Sequence, residues 1–307
     1  PKVLSKIWAD WEKFASYAFN KSHATCYSWV AYQTAYLKCF YPRQYMAALM
    51  TSVLDNSGKL SSYIAECSRL HIRVLPPEIN SSEASFTVVG NDIRFGLLAV
   101  RNLGRGLIDF VLQERRQAGP FHSFYDFCKR TFDKMNRRAL ESLVRCGALD
   151  GLGNNRREMM TAVPLVLETL GNDRRRNVEG QIGFFSQMNG GEDEAFQIAP
   201  MPDYSLQDKL KMEKEATGMF LSGHPMAAYA DLYQKLGAVK IGDLLECFSS
   251  AGDNRWHDGD HVTILGIVSD IKTKVTKSGG TMAFVTLEDF NGSMEMLVFP
   301  QTLSRFS

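Results

Sequence analysis

Apolar positions recur at helical spacing through the first seventy residues. The stretch from Lys59 to Leu70 shows this most clearly, with Leu60, Ile64, Cys67 and Leu70 on one face. An aromatic-studded helix is predicted from Tyr27 to Tyr41, and Pro42 suits the first turn of the next, where its missing N–H is not needed. Ser22 carries the hydroxyl of an N-cap. Val74-Leu75-Pro76-Pro77 ends the helices, because paired prolines cannot continue one. Residues 85–89 and 93–96 then alternate as strands around Gly90-Asn91-Asp92, which is hairpin chemistry. Helical periodicity returns at 105–116, 123–130, 136–146 and 155–170. Residues 171–202 break the pattern: they are polar and rich in Gly, Asn, Asp and Glu, and read as a mobile linker. Two more helices fit 205–217 and 225–236. From His261 the alternation becomes strand-like over 261–275, 281–288 and 293–299, with Val262, Ile264 and Gly266 opening it and a turn at Ser278-Gly279-Gly280.

A chain of 307 residues with elements of this variety exceeds one typical domain, so two or three are expected. With 45% hydrophobic and 22% charged residues, its composition is that of a soluble globular protein. No apolar run nears the ~20 residues that cross a bilayer, so no membrane association is expected. The six cysteines fall in no metal-type spacing, and half sit on apolar helical faces, which favours a reduced cytosolic core role over disulfides or zinc. The net charge of +1 conceals two opposite halves. Residues 1–176 carry 25 Lys and Arg against 16 Asp and Glu; residues 177–307 carry 10 against 18. Such asymmetry suits a first part that faces a polyanion, although solvated helix faces also carry charge.

Four constellations could carry chemistry. Asn20-Lys21-Ser22-His23 lies at a predicted helix start, where free N–H groups, the helix dipole and a lysine favour phosphate. The aromatics beyond it, Tyr27, Trp29, Tyr32 and Tyr36, are placed either to pack in a core or beside bases. The run Arg101-Asn102-Leu103-Gly104-Arg105-Gly106 is similar to a helix-hairpin-helix loop, which holds phosphates with backbone N–H groups and positions DNA without reading sequence. Its first glycine is replaced by Asn102, a residue that tolerates the left-handed conformation. A weaker second copy runs from Arg137 and Arg138 through Gly147 to Gly153 and on to Arg156 and Arg157. A glycine loop alone also serves as an ordinary helix connection; the tandem and its 12 basic against 7 acidic residues favour DNA-backbone binding. Gln181-Ile182-Gly183-Phe184-Phe185, an apolar island on the linker, has the form of a docking peptide whose rings fill a pocket while the glutamine bonds at its edge. The C-terminal strands, with Lys272, Lys274 and Lys277 near a turn, suit an OB-fold that binds single strands. Phe284 and Phe299 fit either its core or its binding face.

Phe19-Asn20-Lys21-Ser22-His23-Ala24 with the aromatic helix after it resembles the fingers domain of the C-family bacterial replicative DNA polymerases, the DNA polymerase III alpha subunits. The resemblance continues in family order through the glycine loops, the linker motif and Gly218-Met219-Phe220-Leu221-Ser222-Gly223-His224-Pro225, where His224 is expected as a structural turn residue. It implies a multidomain, mainly α architecture from the C-terminal half of that family. Residues 1–80 would complete the fingers, 81–170 form a tandem helix-hairpin-helix region, 171–202 a linker with a clamp-binding motif, 203–258 a helical connector, and 259–307 a partial OB-fold. It also implies that Asn20, Lys21, Ser22 and His23, with Tyr17 and Phe19 as neighbours, border the incoming deoxynucleoside triphosphate. Gln181 to Phe185 would bind the sliding clamp, and the OB-fold would meet single-stranded template. The expected partners are primer–template DNA, deoxynucleoside triphosphate, the clamp and other replicase subunits, in the cytoplasm. The family's catalytic carboxylates and two Mg ions belong to a palm domain upstream of this run, so no cofactor is expected in these residues. The start at Pro1-Lys2-Val3 reads as internal to a longer protein, and these residues alone are expected to be inactive. Two other readings stay open: an error-prone paralogue of the same fold, and a non-catalytic DNA-binding scaffold.

Overall fold

In the computed structural model, Pro42 opens a helix as the proline rule requires, and most of the following architecture grows from the segments it begins. All residues are described except 1, 17–20, 55, 179–197, 250–254, 277–278, 291 and 307. Helices α1 (Lys2–Ser16) and α2 (Lys21–Phe40) lead into α3 (Pro42–Thr51), with Pro42 in its first turn, and α4 (Ser57–Arg69). Asn56 caps α4 by accepting from the Lys59 N–H at 3.0 Å. Leu60 and Cys67 on that helix are buried, and Ile64 and Leu70 pack against the same core. The helix closes with His71 in the left-handed region at φ 57°, so that the Ile72 N–H reaches the Cys67 carbonyl at 2.8 Å.

A small sheet follows. Strand β1 (Val74–Leu75) pairs in parallel with β3 (Asp92–Arg94), which pairs antiparallel with β2 (Thr87–Val89), giving the order β1-β3-β2. The β2–β3 turn is the expected one, with Gly90 at φ 60°. The sheet is one wall of the main core. The other walls are α5 (Arg105–Ala118), α6 (Phe124–Thr131), α7 (Arg137–Arg145), α8 (Arg156–Val178) and α9 (Leu206–Thr217). Phe95, Phe121, Phe124 and Phe127 are its largest fully buried rings. Met159, Val163, Val166 and Leu170 line the buried face of α8 at helical spacing. Each such side chain contributes roughly 1.5–3 kcal/mol by leaving water.

The C-terminal part is an antiparallel meander of β4 (Ile267–Val275), β5 (Thr281–Glu288) and β6 (Ser293–Val298), with a register shift between Val268 and Asp270. Helices α10 (Ala230–Lys235), α11 (Ile241–Ser249) and α12 (Pro300–Phe306) flank it. Polar contacts tie it to its surroundings. Lys214 of α9 pairs with Glu288 at 2.6 Å, and the buried Asp289 accepts from the Ile241 N–H at 2.8 Å.

The architecture is therefore mainly helical with two small three-stranded sheets, and it departs from the sequence reading at five places. Helix α2 begins at Lys21, so Ser22 lies in its first turn rather than at its cap. Val74 and Leu75 form a strand because β3 offers them an edge, a tertiary pairing that the neighbouring prolines obscure. Helix α8 continues to Val178 into the stretch read as a break; Arg174 pairs with Asp133, and Phe132 lies against Gly171, so contacts hold a segment that lacks apolar periodicity. The strand predicted from His261 begins only at Ile267. Helices α11 and α12 were not anticipated. Four of the cysteines, Cys67, Cys128, Cys146 and Cys247, are buried as the core reading expects, while Cys26 and Cys39 are exposed on α2. Burial pushes the Cys67 thiol up to about 11 and that of Cys146 to about 12.

Candidate nucleic-acid interface

The loop between Val100 and α5 is shaped by three residues. Asn102 takes φ 65°, the left-handed conformation expected for it, and its Nδ2 donates to Ser142 Oγ on α7 at 2.9 Å. Leu103 packs against the core and pegs the loop. Gly104 is the residue before α5, in extended geometry, with no side chain capping the helix. The N–H groups of Leu107 and Ile108 both turn back to the Gly104 carbonyl at 3.1 Å. Those of Arg105 and Gly106 have no acceptor among the described residues, as the first turn of an uncapped helix leaves them. A Cβ added at Gly104 or Gly106 would meet nothing within 4 Å. Nothing inside the chain requires these glycines, and their bareness leaves room for a close external approach.

Cations surround this first hairpin. Arg101 and Arg105 are exposed. Arg101 is tethered, its N–H bonded to the Ala216 carbonyl at 2.8 Å and its Nη1 to the Glu215 carbonyl at 3.1 Å. Arg138, at the start of α7, lines a hollow shared with Asn102. Neither Arg105 nor Arg138 has an acidic partner among the described residues; Arg137 pairs with Glu141 at 2.7 Å. Helix α7 thus brings part of the second predicted copy to the first loop.

The second hairpin, between α7 and α8, is built differently. Gly147 stands at φ 79°, and a Cβ there would lie 2.2 Å from Arg156 Nη2. Arg156 is only 4% exposed. Its Nε bonds Asp150 at 3.0 Å, and its Nη1 bonds Glu213 of α9 at 3.0 Å. Glu213 is fully buried and also accepts from the N–H groups of Leu221 at 2.8 Å and Ser222 at 2.9 Å. Arg156, expected from the sequence as a DNA contact, is therefore a structural cation: its charge is spent on two carboxylates of its own chain, the buried Glu213 and the half-exposed Asp150. At the start of α8, Asn155 and Glu158 form a reciprocal cap, Glu158 N–H to Asn155 Oδ1 at 2.9 Å and Asn155 N–H to Glu158 Oε2 at 3.1 Å. Glu158 also accepts from Met201 N–H at 3.1 Å. The backbone N–H groups of Met201 and Asn155, then the Asn154 amide, hold its carboxyl below the usual carboxylate range. Arg157 is exposed, its guanidinium 5.9 Å from the Tyr204 ring centroid.

The remaining sequence candidates lie on other elements. Lys21, Ser22 and His23 form the exposed first turn of α2, and His23 packs edge-on against Tyr27 with ring centroids 4.5 Å apart. Trp29, Tyr32, Tyr36 and Phe40 form an exposed ladder along that helix rather than a core. Lys272 and Lys274 are exposed on β4; Lys272 pairs with Asp270 at 3.1 Å and sits in register with Phe284 and, across β5, Leu297. Phe299 is exposed. Tyr17, Phe19, Asn20, Lys277 and the run Gln181, Ile182, Gly183, Phe184 and Phe185 lie outside the described residues. His224 behaves as the expected turn residue, its Nδ1 accepting from Met226 N–H at 3.2 Å. Ser142, Arg145 and Glu215 were missed, since only the fold brings them to the hairpin. The Asn155–Glu158 cap had a legible signal, a capping residue followed three positions later by Glu. Among the described residues no three His, Cys, Asp or Glu side chains converge as a metal site, and no helix is long and apolar enough to cross a membrane.

Comparison with known proteins agrees with this geometry. Residues 71–159, which contain both hairpins, match the helix-hairpin-helix motif family. The chain is 38% identical over 313 residues to the DNA polymerase III subunit alpha of Saccharopolyspora erythraea, covering 100% of this chain and 26% of that protein. It is 40% identical over 289 residues to that of Thermus aquaticus (94% and 23%) and 36% identical over 317 residues to that of Mycobacterium tuberculosis (100% and 26%). The chain spans about a quarter of the length of these curated relatives.

Proposed function

Since the chain belongs to the DNA polymerase III alpha-subunit family, as a segment about a quarter of its members' length, we propose that it supplies DNA-backbone contacts to a DNA-directed DNA polymerase through its first hairpin. The observation that carries this reading is the uncapped start of α5. Two N–H groups and two arginines, Arg105 and Arg138, that have no partner among the described residues stand together there with two glycines open to the outside. Such a site attracts phosphate through the helix dipole and direct hydrogen bonds, and it is indifferent to base sequence.

Three further contacts belong to the same proposal. Lys21, with Asn20, Ser22 and His23, faces the triphosphate of the incoming nucleotide. Lys272, Lys274 and Lys277 meet single-stranded template on an OB-type sheet. Gln181 to Phe185 docks to the sliding clamp, which brings the other replicase subunits into reach. In this proposal these residues hold and orient DNA and nucleotide, and the catalytic carboxylates with their two Mg ions are assigned to other parts of the whole enzyme.

The deciding experiment is a salt titration of duplex affinity. The chain should bind duplexes of unrelated sequence equally, with affinity falling steeply between low and moderate salt. Arg105→Ala should lower the slope of log K against log salt by about 0.9, the value of one phosphate contact on B-form DNA. An unchanged slope, or a strong preference for one sequence, overturns the assignment. For the clamp contact, a peptide of residues 179–187 should bind a bacterial sliding clamp. Phe184→Ala with Phe185→Ala should weaken it at least about tenfold, given two buried rings at roughly 1.5–3 kcal/mol each. Equal binding by both peptides removes that contact from the proposal.

A further inference from the structure

Beside the first hairpin lies a hollow of 110 Å³ lined by Asn102, Arg138, Ser142, Arg145 and Glu215, among others. One wall is fixed by the Asn102–Ser142 bond. Arg138 is unpaired among the described residues. Arg145 is held by Glu215 of α9 at 2.7 Å, with 36% and 48% of the two side chains exposed. The last turn of α9 is itself pinned to the hairpin, through Arg101 N–H to the Ala216 carbonyl and Arg101 Nη1 to the Glu215 carbonyl. Two carboxylates thus reach the hollow beside the loop, Glu215 on Arg145 and Glu141 on Arg137. An ion pair between two groups this exposed holds weakly. A nucleic-acid phosphate accepts from a guanidinium through two oxygens at once and arrives with neighbouring charge.

We propose that Arg138 and Arg145 form a second phosphate site next to the first hairpin, and that Glu215 occupies Arg145 until a backbone phosphate displaces it. The inference rests on the reading of the first hairpin as a DNA contact and extends it in two ways. It adds Arg145, which belongs to no motif, to the phosphate track. It also makes α9 sensitive to DNA, because the phosphate that takes Arg145 releases one of the tethers of α9's last turn and leaves the two from Arg101.

The test measures the affinity of the 307-residue chain for a mixed-sequence duplex across a salt series, by fluorescence anisotropy. Glu215→Gln should tighten binding about two- to fivefold, the range of one exposed charge pair. Arg145→Ala should weaken binding and lower the salt slope by about 0.9. Combining Arg145→Ala with Glu215→Gln should give no gain over Arg145→Ala alone. Glu168→Gln, which removes an exposed carboxylate from α8, controls for general charge and should give less gain than Glu215→Gln. The proposal is overturned if Glu215→Gln changes nothing, if its gain survives without Arg145, or if Glu168→Gln matches it, while Arg105→Ala still weakens binding. In those cases the hairpin keeps its role and the second site is lost. If Arg105→Ala has no effect either, the hairpin reading falls and this site falls with it.

Discussion

The two hairpins share a plan and differ in what sits at the helix start. In the first, the cap position and the third helical residue are Gly104 and Leu107; in the second they are Asn155 and Glu158. The first pair leaves N–H groups unsatisfied and open to the outside. The second pair bonds reciprocally, the Glu158 N–H to the Asn155 side chain and the Asn155 N–H to the Glu158 carboxylate, and a strap through Met201 covers the end. Their arginines diverge in the same sense. Arg105 faces solvent, whereas Arg156 is enclosed between Asp150 and Glu213. The same loop plan is thus left open at its helix start in one copy and closed as an internal joint in the other. What decides between them is whether the chain supplies its own anion.

The comparison breaks most visibly at Arg156. Removing one member of a buried ion pair leaves its partner uncompensated and costs about 3–5 kcal/mol. Arg156→Ala should therefore destabilise the fold by about that amount in chemical denaturation, because Glu213 would keep its burial and lose its cation. Arg105→Ala should change stability by no more than about 0.5 kcal/mol, as an exposed substitution does. If Arg156→Ala leaves stability intact and instead flattens the salt slope of DNA binding, the two arginines have been assigned the wrong way round.

Much of this contrast could be read from the sequence, and the unread part has a specific physical origin. Asn102 was legible because a left-handed turn admits few residues besides glycine, and the structure places it at φ 65°. The α4 face of Leu60, Ile64, Cys67 and Leu70 was legible because periodicity reports burial directly. Arg156 was misread because a basic residue at a helix start looks the same whether it meets a phosphate or a carboxylate 57 positions away. No local pattern announces Glu213. Strand β1 and the last two turns of α8 escaped for the same reason: each is held by a partner distant in sequence, β3 in one case and the Phe132–Asp133 corner in the other. The hollow between Asn102 and Arg145 exists only because α7 and α9 pack beside the loop.

A smaller effect separates the glycines of the two loops. Gly147 adopts a left-handed φ, which costs an ordinary residue about 1–2 kcal/mol, and its missing side chain makes room for Arg156. Gly147→Ala should lose at least that much stability, since the guanidinium must also move. Gly104 has φ −82° and open space around it, so Gly104→Ala should stay within about 1 kcal/mol of the parent. Its cost should appear in duplex affinity, because the added methyl would crowd an approaching phosphate. Thermal midpoints and anisotropy titrations on the same two variants should show opposite profiles. A large stability loss at Gly104, or none at Gly147, would mean that the loops do not differ in the way their geometry indicates.

The smallest expected effect is also the most local. Glu158 has a carboxyl held below its ordinary value of 4.5 by the N–H groups it accepts from. A group whose folded value is lowered adds stability that is complete above the ordinary value and is lost as pH falls through the folded one. The cap and strap at the second hairpin should accordingly be intact at neutral pH and loosen only in acid, at a pH below 4.5. Asp203 titrates nearby and is also lowered: burial opposes this, and is outweighed by Lys209 and by the Tyr204 and Arg157 N–H groups. The comparison therefore needs Glu158→Gln, which keeps an acceptor and removes the charge. In amide NMR spectra recorded from neutral pH downward, the Asn155 and Met201 resonances should shift in acid in the parent and lose most of that shift in Glu158→Gln. The Arg105 and Gly106 resonances should stay flat through the same range, because Leu107 stands where the second hairpin has its carboxylate. If the first hairpin titrates as well, an acid has reached the start of α5, and the distinction between an open and a self-satisfied loop no longer holds.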